Sequence, residues 1–367
     1  MSPQRASALV LEEPRRLQER ELPLPEITED TGVLRVEACG LCGTDHEQFT
    51  GHLPAGFSFV PGHEIVGTVE EVGSVAAARW GVQAGDRVAV EVFQSCGECP
   101  PCQAGEYRRC ARHGLADMFG FVDVDRAPGL WGGYATHLHL PPDTLLLPVP
   151  AGIDPVLATV FNPLGAGIRW GVEVPGMQPG EVVAVLGPGI RGLCVASAAK
   201  QAGAGFVMVT GLGARDRGRL ALAQEFGADL AVDVADTDPA GALHDATGGL
   251  ADVVVDVTAR APGALAQAVS LARPGGRIVV AGTRGSMDTP GFVPDLIVYK
   301  ELHIMGALGV DAPAYRRAFD LLAAGTYPFA ALPRRVEPLD AGRVGSLLST
   351  MAGEGDAEPP VHAVVVP

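Results

Sequence analysis

The chain has no long apolar run and few basic residues, and each absence excludes a class of protein. No stretch of about 18 uncharged apolar residues occurs, so nothing predicts a membrane span. The first twenty residues are charged and lack the apolar centre of a signal peptide. Lys and Arg number 27 against 43 Asp and Glu, and the formal net charge of −16 would repel a phosphate backbone. We therefore expect neither a membrane nor a nucleic acid as partner.

Seven cysteines without an export signal favour a reducing compartment, the cytoplasm, where metal binding is commoner than disulfides. Four of them follow the pattern C-x2-C-x2-C-x7-C, at Cys96, Cys99, Cys102 and Cys110. This spacing lets four thiolates converge on one tetrahedral zinc and leaves no position for a substrate, so we expect a structural site. Cys39 and Cys194 are expected to be buried apolar thiols.

The pattern of apolar residues changes near Pro150. Before it, short β-branched runs bounded by turn residues predict strands at Val33–Ala38, Ile65–Val72, Arg87–Phe93 and Tyr134–His139. After it, apolar strands alternate with helices. The strands are Val182–Leu186, Phe206–Val209, Val253–Val257 and Arg277–Ala281, and the helices are Asp154–Gly171, Ile190–Ala202, Arg219–Phe226, Pro262–Leu271 and Ala312–Ala324. This alternation is typical of βαβ units, so the second part is predicted to be α/β with a parallel sheet buried on both faces.

A glycine-rich turn joins the first of these strands to its helix. Strand Val182–Leu186 runs into Gly187-Pro-Gly189-Ile190-Arg191-Gly192, a G-x-G-x-x-G sequence in the strand–turn–helix context that gives it meaning. The first glycine would make the tight turn, the second would let the backbone approach a pyrophosphate, and the third would allow close helix–strand packing. These residues are the candidate cofactor-binding site, with the phosphates at the helix N-terminus.

The choice between NAD and NADP is left open by the second strand. It ends in Thr210-Gly211 without a carboxylate for the ribose diol, and arginines that could bind a 2′-phosphate follow, Arg215 among them. Asp216, on the same loop, could fold back to the ribose.

Three further motifs accompany the cysteine cluster and the glycine-rich turn along the chain. Cys39-Gly-Leu-Cys42-Gly-Thr44-Asp45-His46-Glu47 is followed by Gly62-His63-Glu64 and by Gly132-Gly133-Tyr134-Ala135. Over nearly its whole length the chain resembles the zinc-dependent medium-chain alcohol dehydrogenase family, in the branch of sorbitol, threonine and glucose dehydrogenases.

This resemblance implies a GroES-like β-barrel catalytic domain and a Rossmann domain with a doubly wound parallel sheet. The expected boundaries are 1–155 for the catalytic domain, with the zinc lobe at about 95–113, 156–308 for the Rossmann domain, and 309–367 for a segment that completes the first domain. The substrate is expected in the cleft between the domains. A homodimer or homotetramer is implied as well.

The resemblance also implies a catalytic zinc bound by Cys42 and His63, with Asp45 and Glu64 orienting the imidazole or Glu64 approaching the metal. Thr44 would be the hydroxyl that takes the alcohol proton. Zinc would polarise the alcohol oxygen while hydride passes to the nicotinamide.

The chain departs from the family pattern at three places. Asn162 stands where the sorbitol-dehydrogenase-like branch has a glutamate as third ligand, so the position is filled by Asn162, by water or by Glu64. Glu47 replaces a frequent relay histidine, and His46 lies one residue earlier, so the proton relay is expected through either side chain or through the ribose. Arg191 replaces an apolar fingerprint residue and points either to the pyrophosphate or outward.

We therefore expect an enzyme, a zinc-dependent alcohol dehydrogenase that transfers hydride between a secondary alcohol, polyol or sugar and NAD or NADP. The alternatives are a zinc-poor NAD(P)H-dependent reductase on the same scaffold and a catalytically inactive nucleotide-binding protein. The small-molecule substrate itself is not identified by the sequence.

Overall fold

A computed structural model describes residues 5–285, 287–355 and 357–367. The strands are β1 Arg5–Glu13, β2 Arg16–Pro23, β3 Gly32–Gly40, β4 Glu64–Val72, β5 Arg87–Val90, β6 His137–Leu140, β7 Leu146–Pro148, β8 Val182–Leu186, β9 Phe206–Gly211, β10 Leu230–Asp233, β11 Ala251–Asp256, β12 Ala272–Val280, β13 His303–Gly306, β14 Arg334–Pro338 and β15 His362–Val366. The helices are α1 Gly43–Thr50, α2 Ser74–Trp80, α3 Pro100–Gln103, α4 Pro155–Ala158, α5 Phe161–Ile168, α6 Ile190–Gln201, α7 Arg217–Glu225, α8 Pro239–Thr247, α9 Ala264–Leu271, α10 Asp295–Tyr299, α11 Ala312–Ala324 and α12 Ala341–Met351. None of the helices in these ranges combines the length and the apolar character that a membrane span requires.

The chain divides into two compact units. Unit 1 comprises residues 1–161 and 330–367, and unit 2 comprises residues 162–329. The sequence placed the second boundary at residue 308, whereas α11 packs within unit 2. A Cβ on Gly165 of α5 would stand 2.5 Å from Cδ1 of Tyr315 on α11, so a glycine is needed for this contact.

Unit 1 is built on a seven-stranded sheet in the order β14-β15-β3-β4-β5-β7, in which β6 also pairs with β3. Strands β3 and β4 are antiparallel, with Gly40 opposite Glu64. Because β3 ends where β4 begins, the residues just beyond these two ends, Cys42 and His63, are brought to the same end of the sheet. The C-terminal strand β15 pairs antiparallel with β3 at Val364 and Gly40.

Unit 2 contains a six-stranded sheet in the order β10-β9-β8-β11-β12-β13. All its pairings are parallel, and the strand order reverses direction at β8, where the chain turns back from β10 to β11. The central strand β11 is largely buried, as its run of valines requires between two helical layers. This arrangement confirms the predicted α/β class with a doubly wound parallel sheet.

Several elements differ from the sequence-based expectations. The single helix expected at Asp154–Gly171 is interrupted after α4, and α5 continues into a π-helical turn at Arg169–Glu173. The strand expected from Tyr134 begins at His137, and Tyr134 instead contacts β1, since its carbonyl accepts from the Leu9 N–H at 2.8 Å. The hairpin of β1 and β2 was not predicted, since its second strand is mostly exposed and polar.

Candidate metal centres and nucleotide site

Asp45 connects the start of helix α1 with His63. Cys42 precedes α1 in an extended conformation, and its N–H donates to Asp45 Oδ2 at 2.7 Å. Reciprocally, the Asp45 N–H donates to the Cys42 carbonyl at 3.1 Å. The other carboxylate oxygen, Asp45 Oδ1, lies 3.6 Å from His63 Nδ1. One buried carboxylate thus holds the backbone of Cys42 and lies beside the ring of His63.

Two glycines make room for the neighbouring motif. Gly62 has φ +91°, and a Cβ there would stand 2.6 Å from the Tyr134 ring. A Cβ on Gly40 would stand 3.0 Å from Cβ of Glu64 and even closer to its carboxylate. Small residues at these two positions therefore allow His63 and Glu64 to be buried against the sheet end.

The ligand atoms of Cys42, His63 and Glu64 all lie within 4.8 Å of one another, and the three side chains are buried. Burial alone would lower the pKa of His63, but the negative charges of Asp45, Cys42 and Glu64 outweigh it and raise the pKa to about 9. A cluster with a thiol, an imidazole and a carboxylate in a negatively charged environment fits a divalent zinc ion. Its chemistry matches the metal that the sequence led us to expect here.

Thr44 and Asn162 complete the list of residues expected around this metal. Thr44 Oγ1 lies 3.6 Å from Cys42 Sγ, so the candidate proton acceptor is next to a candidate ligand. Asn162 belongs to unit 2, where it is buried on α5 and its Nδ2 donates to the hydroxyl of Tyr315 at 2.9 Å. Tyr315 lies far along the chain and has no motif, so sequence reasoning missed it.

The four clustered cysteines form a second candidate metal centre. Their Sγ atoms lie within 4.8 Å of one another, with 3.9 Å between Cys96 and Cys102 and 4.0 Å between Cys99 and Cys110. Four sulfurs at the usual zinc distance on a tetrahedron would be about 3.8 Å apart. Burial acts to raise the pKa of Cys110, yet backbone N–H groups around its sulfur lower it to about 6, which favours the thiolate. The set fits a structural zinc.

His113 ties this cysteine lobe to the rest of unit 1. Its Nδ1 lies 2.7 Å from Asp117 Oδ2, and its Nε2 lies 2.7 Å from Asp143 Oδ2. Arg112 adds a contact to Asp143 at 2.9 Å. Sequence reasoning missed this network, because its members carry no motif and Asp143 lies beyond the lobe.

The glycine-rich turn in unit 2 has the geometry that each glycine was expected to provide. Gly187 has φ +102°, and a Cβ on Gly192 would stand 1.8 Å from the Gly187 carbonyl oxygen. Gly189, in contrast, has no atom within 4 Å of an added Cβ, so open space lies in front of its backbone. Helix α6 begins at Ile190 directly after it. This open cradle at a helix N-terminus fits a pyrophosphate.

Arg191 is held by an aromatic ring. Its guanidinium carbon lies 5.2 Å from the ring centroid of Trp170, in the π-helical turn, and Trp170 Nε1 donates to the Gly309 carbonyl at 3.0 Å. Sequence reasoning left the direction of Arg191 open and missed Trp170, which has no spacing that links it to the fingerprint.

The loop after β9 brings two of the candidate cofactor-binding residues together. Asp216 Oδ2 accepts from the Leu212 N–H at 2.9 Å, and Asp216 Cβ stands 2.9 Å from the position that a Cβ on Gly211 would occupy. Arg215 is exposed on the same loop.

Comparison with known proteins identifies the family of the chain. Residues 28–151 match the alcohol dehydrogenase GroES-like domain, and residues 192–324 match the zinc-binding dehydrogenase domain. A Mycobacterium tuberculosis protein named "Probable alcohol dehydrogenase adh" is 66% identical over 98% of each chain. The chain belongs to the zinc-dependent medium-chain alcohol dehydrogenase family.

Two further relatives show the breadth of this family. Sorbitol dehydrogenase of Bacillus subtilis is 30% identical over 88% of this chain and 87% of its own length. A protein from Sinorhizobium meliloti 1021 named "putative zinc-binding dehydrogenase", solved bound to NADP, has a TM-score of 0.83 and 29% identity over 99% of this chain and all of its own. The dehydrogenase described here is accordingly a zinc-type enzyme that uses NAD or NADP and acts on a small molecule.

Proposed function

We propose that Cys42, His63 and Glu64 hold the catalytic zinc of this alcohol dehydrogenase. The convergence of their three ligand atoms within 4.8 Å supports this assignment. Glu64 supplies a third protein ligand from the same unit, so the metal does not need a neutral amide oxygen from Asn162. We further propose that Cys96, Cys99, Cys102 and Cys110 hold a structural zinc.

The protein's own residues then have distinct tasks in alcohol oxidation. When bound, zinc polarises the alcohol oxygen and the nicotinamide accepts hydride from the carbon. Thr44 takes the alcohol proton through its hydroxyl, which lies beside Cys42. Asp45 keeps the His63 ring in the orientation for metal binding through its 3.6 Å contact. His46 and Glu47, both half-buried on α1, are the titratable side chains that can carry the proton onward.

We propose that the glycine-rich turn binds the dinucleotide. Gly187, Gly189, Ile190, Arg191 and Gly192 form the turn and the helix start around the open cradle. Gly211, Arg215 and Asp216 lie on the strand end and loop that would read the adenosine ribose.

The substrate class that fits best is a secondary alcohol, a polyol or a sugar. A zinc-type centre with a neighbouring hydroxyl handles each of these, and the Bacillus subtilis relative is named for the polyol sorbitol. The test is zinc per chain by elemental analysis, together with NAD- and NADP-linked oxidation of a panel from the three classes. We expect two zincs per chain and turnover of at least one class. One tightly held zinc and no oxidation after zinc is added back would contradict the proposal.

Paired variants separate the ligands of the two metals. Cys42→Ser is expected to lose one zinc and all turnover with little change in Tm. Cys99→Ser is expected to lower Tm, because a structural zinc contributes folding free energy.

The third ligand of the catalytic zinc is tested in the same way. Glu64→Gln is expected to weaken zinc retention against a chelator, whereas Asn162→Ala is expected to leave it unchanged. Loss of the catalytic zinc from Asn162→Ala alone would assign the third ligand to Asn162 instead.

We also propose that the enzyme is a homodimer joined at the edge of the unit 2 sheet. Strand β13 is the outermost strand there, and the exposed apolar side chains around it include Val298, Tyr299 and Leu308, at 72%, 77% and 60% exposure. An exposed strand edge flanked by large apolar residues is commonly covered by a second chain, and a two-fold axis would pair β13 with itself. We place the dimer in the cytoplasm, where the seven free thiols of the described chain would stay reduced.

A further inference from the structure

Strand β9 ends at a position where many dinucleotide-binding folds carry a carboxylate for the ribose diol. Here that position is Gly211. Strands β8 and β9 pair in register up to Leu186 and Thr210, and the Gly187 N–H donates to the Thr210 carbonyl at 3.0 Å. A Cβ on Gly211 would stand 2.9 Å from Cγ of Pro188, inside the glycine-rich turn. Gly211 is therefore next to the cradle but has no side chain to offer.

The side chain of Asp216 occupies the space that a side chain on Gly211 would need. Its Cβ stands 2.9 Å from the position of that missing Cβ. The loop between them folds back tightly, because Asp216 Oδ2 accepts from the N–H of Leu212 at 2.9 Å. The Asp216 side chain is 16% exposed, so the loop holds it at the strand end without burying it completely.

One positive charge near this loop, that of Arg219, pairs with Asp216. Arg219 Nη1 lies 3.4 Å from Asp216 Oδ1, so this guanidinium is directed at the carboxylate. Arg215 and Arg217 are exposed. Asp233, on the neighbouring strand, accepts from the Gly213 N–H at 2.7 Å and adds a second negative charge. A 2′-phosphate placed at the strand end would be repelled by the carboxylates of Asp216 and Asp233.

We propose that Asp216 supplies, from the folded-back loop, the ribose-binding carboxylate that Gly211 lacks, and that the enzyme therefore selects NAD over NADP. This inference rests on the proposed dinucleotide site. The carboxylate accepts hydrogen bonds from the 2′- and 3′-hydroxyls of NAD and repels the 2′-phosphate of NADP.

The test is equilibrium binding, measured by the fluorescence of NADH and NADPH on zinc-loaded, full-length protein at one pH and one salt concentration. A hydrogen bond to a charged group changes affinity by about 10- to 100-fold, so we expect NADH to bind at least about tenfold more tightly than NADPH. Asp216→Asn keeps an oxygen for the Leu212 N–H but removes the charge, and should bring the ratio of the two Kd values close to one. Asp216→Glu keeps the charge and should preserve the preference for NADH. Asp236→Asn, which removes an exposed carboxylate after β10, is the matched control and should leave the ratio unchanged.

The possible failures are distinguishable. NADPH binding as tightly as NADH to the unaltered protein would overturn the inference and leave the dehydrogenase function intact. An equal loss of both affinities in Asp216→Asn would make Asp216 only a structural support of the loop, which also overturns it. Binding of neither nucleotide to the unaltered protein would refute the dinucleotide site and the proposed function together.

Discussion

His362 should make the stability of unit 1 depend on pH between about 3 and 6.5. It is 2% exposed on β15, and its Nε2 lies 3.3 Å from Thr159 Oγ1. The Thr159 hydroxyl already donates to the Val156 carbonyl at 2.7 Å, so Nε2 donates to Thr159 and Nδ1 carries no proton. Within the described structure, Nδ1 has no hydrogen-bond partner. Burial, followed by the charge of Arg334, lowers the pKa of His362 to about 3 from an ordinary value of 6.5.

The direction of this pH dependence follows from which state, folded or unfolded, binds the proton. Between pH 6.5 and 3 the unfolded chain is protonated at His362 and the folded protein is not, so acid favours unfolding. The contribution of the neutral histidine is complete above pH 6.5 and is lost as the pH falls. At pH 4.5 the free energy of unfolding should be lower by about 2–3 kcal/mol than at pH 7.5 from this residue alone.

The assay compares the unaltered protein with His362→Gln in urea unfolding at several pH values from 7.5 to 4.5. Glutamine can donate to Thr159 but does not titrate, so the difference in unfolding free energy between the two proteins should change by about 2–3 kcal/mol over this range. His244→Gln, at an exposed position on α8, is the control variant. Zinc loss and the titration of other groups affect all three proteins alike, so they cancel from the differences in unfolding free energy. A difference that is constant with pH would refute the reasoning.

Three further changes have direct outcomes. Gly192→Ala places a methyl group against the Gly187 carbonyl and should lower both Tm and NADH affinity. Gly189→Ala adds a methyl group in open space and should weaken NADH binding without lowering Tm. Equal Tm losses in the two variants would contradict the open space in front of Gly189. His113→Asn breaks at least one of the two 2.7 Å contacts of His113 with Asp117 and Asp143. It should lower Tm by several degrees and speed the release of the structural zinc to a chelator. An unchanged rate of release would show that these contacts do not support the cysteine lobe. Tyr299→Glu should turn the dimer into a monomer in light scattering, while Val75→Lys in unit 1 should not; a persistent dimer would exclude the β13 edge.

The sequence predicted the parts of the molecule whose chemistry is local. The C-x2-C steps, the glycine-rich turn and the short valine-rich strands each have a mechanical reason for their spacing, so the α/β class and the clustering of the candidate ligands could be anticipated. The apolar periodicity located α11 at Ala312–Ala324 with the bounds that the structure has.

The remaining features depend on contacts between distant segments. The contacts of Asn162 with Tyr315, of Arg191 with Trp170 and of His113 with an aspartate beyond the lobe have no signature in local patterns. The interruption after α4 was missed because the apolar pattern continues through it. The position of Asp216 required the loop geometry, since sequence spacing alone allowed either nucleotide.

The pairing of β15 with β3 affects how the metal centre can be assembled. The Leu41 N–H, one residue before Cys42, donates to the carbonyl of Ala363 at 2.9 Å. Ribosomes synthesise all of unit 2 before they reach this strand, so the backbone beside Cys42 obtains its neighbour only after residues 162–329 have emerged. We expect the catalytic zinc site to mature late in biogenesis, and a fragment that ends before β15 to lack part of the frame that positions Cys42.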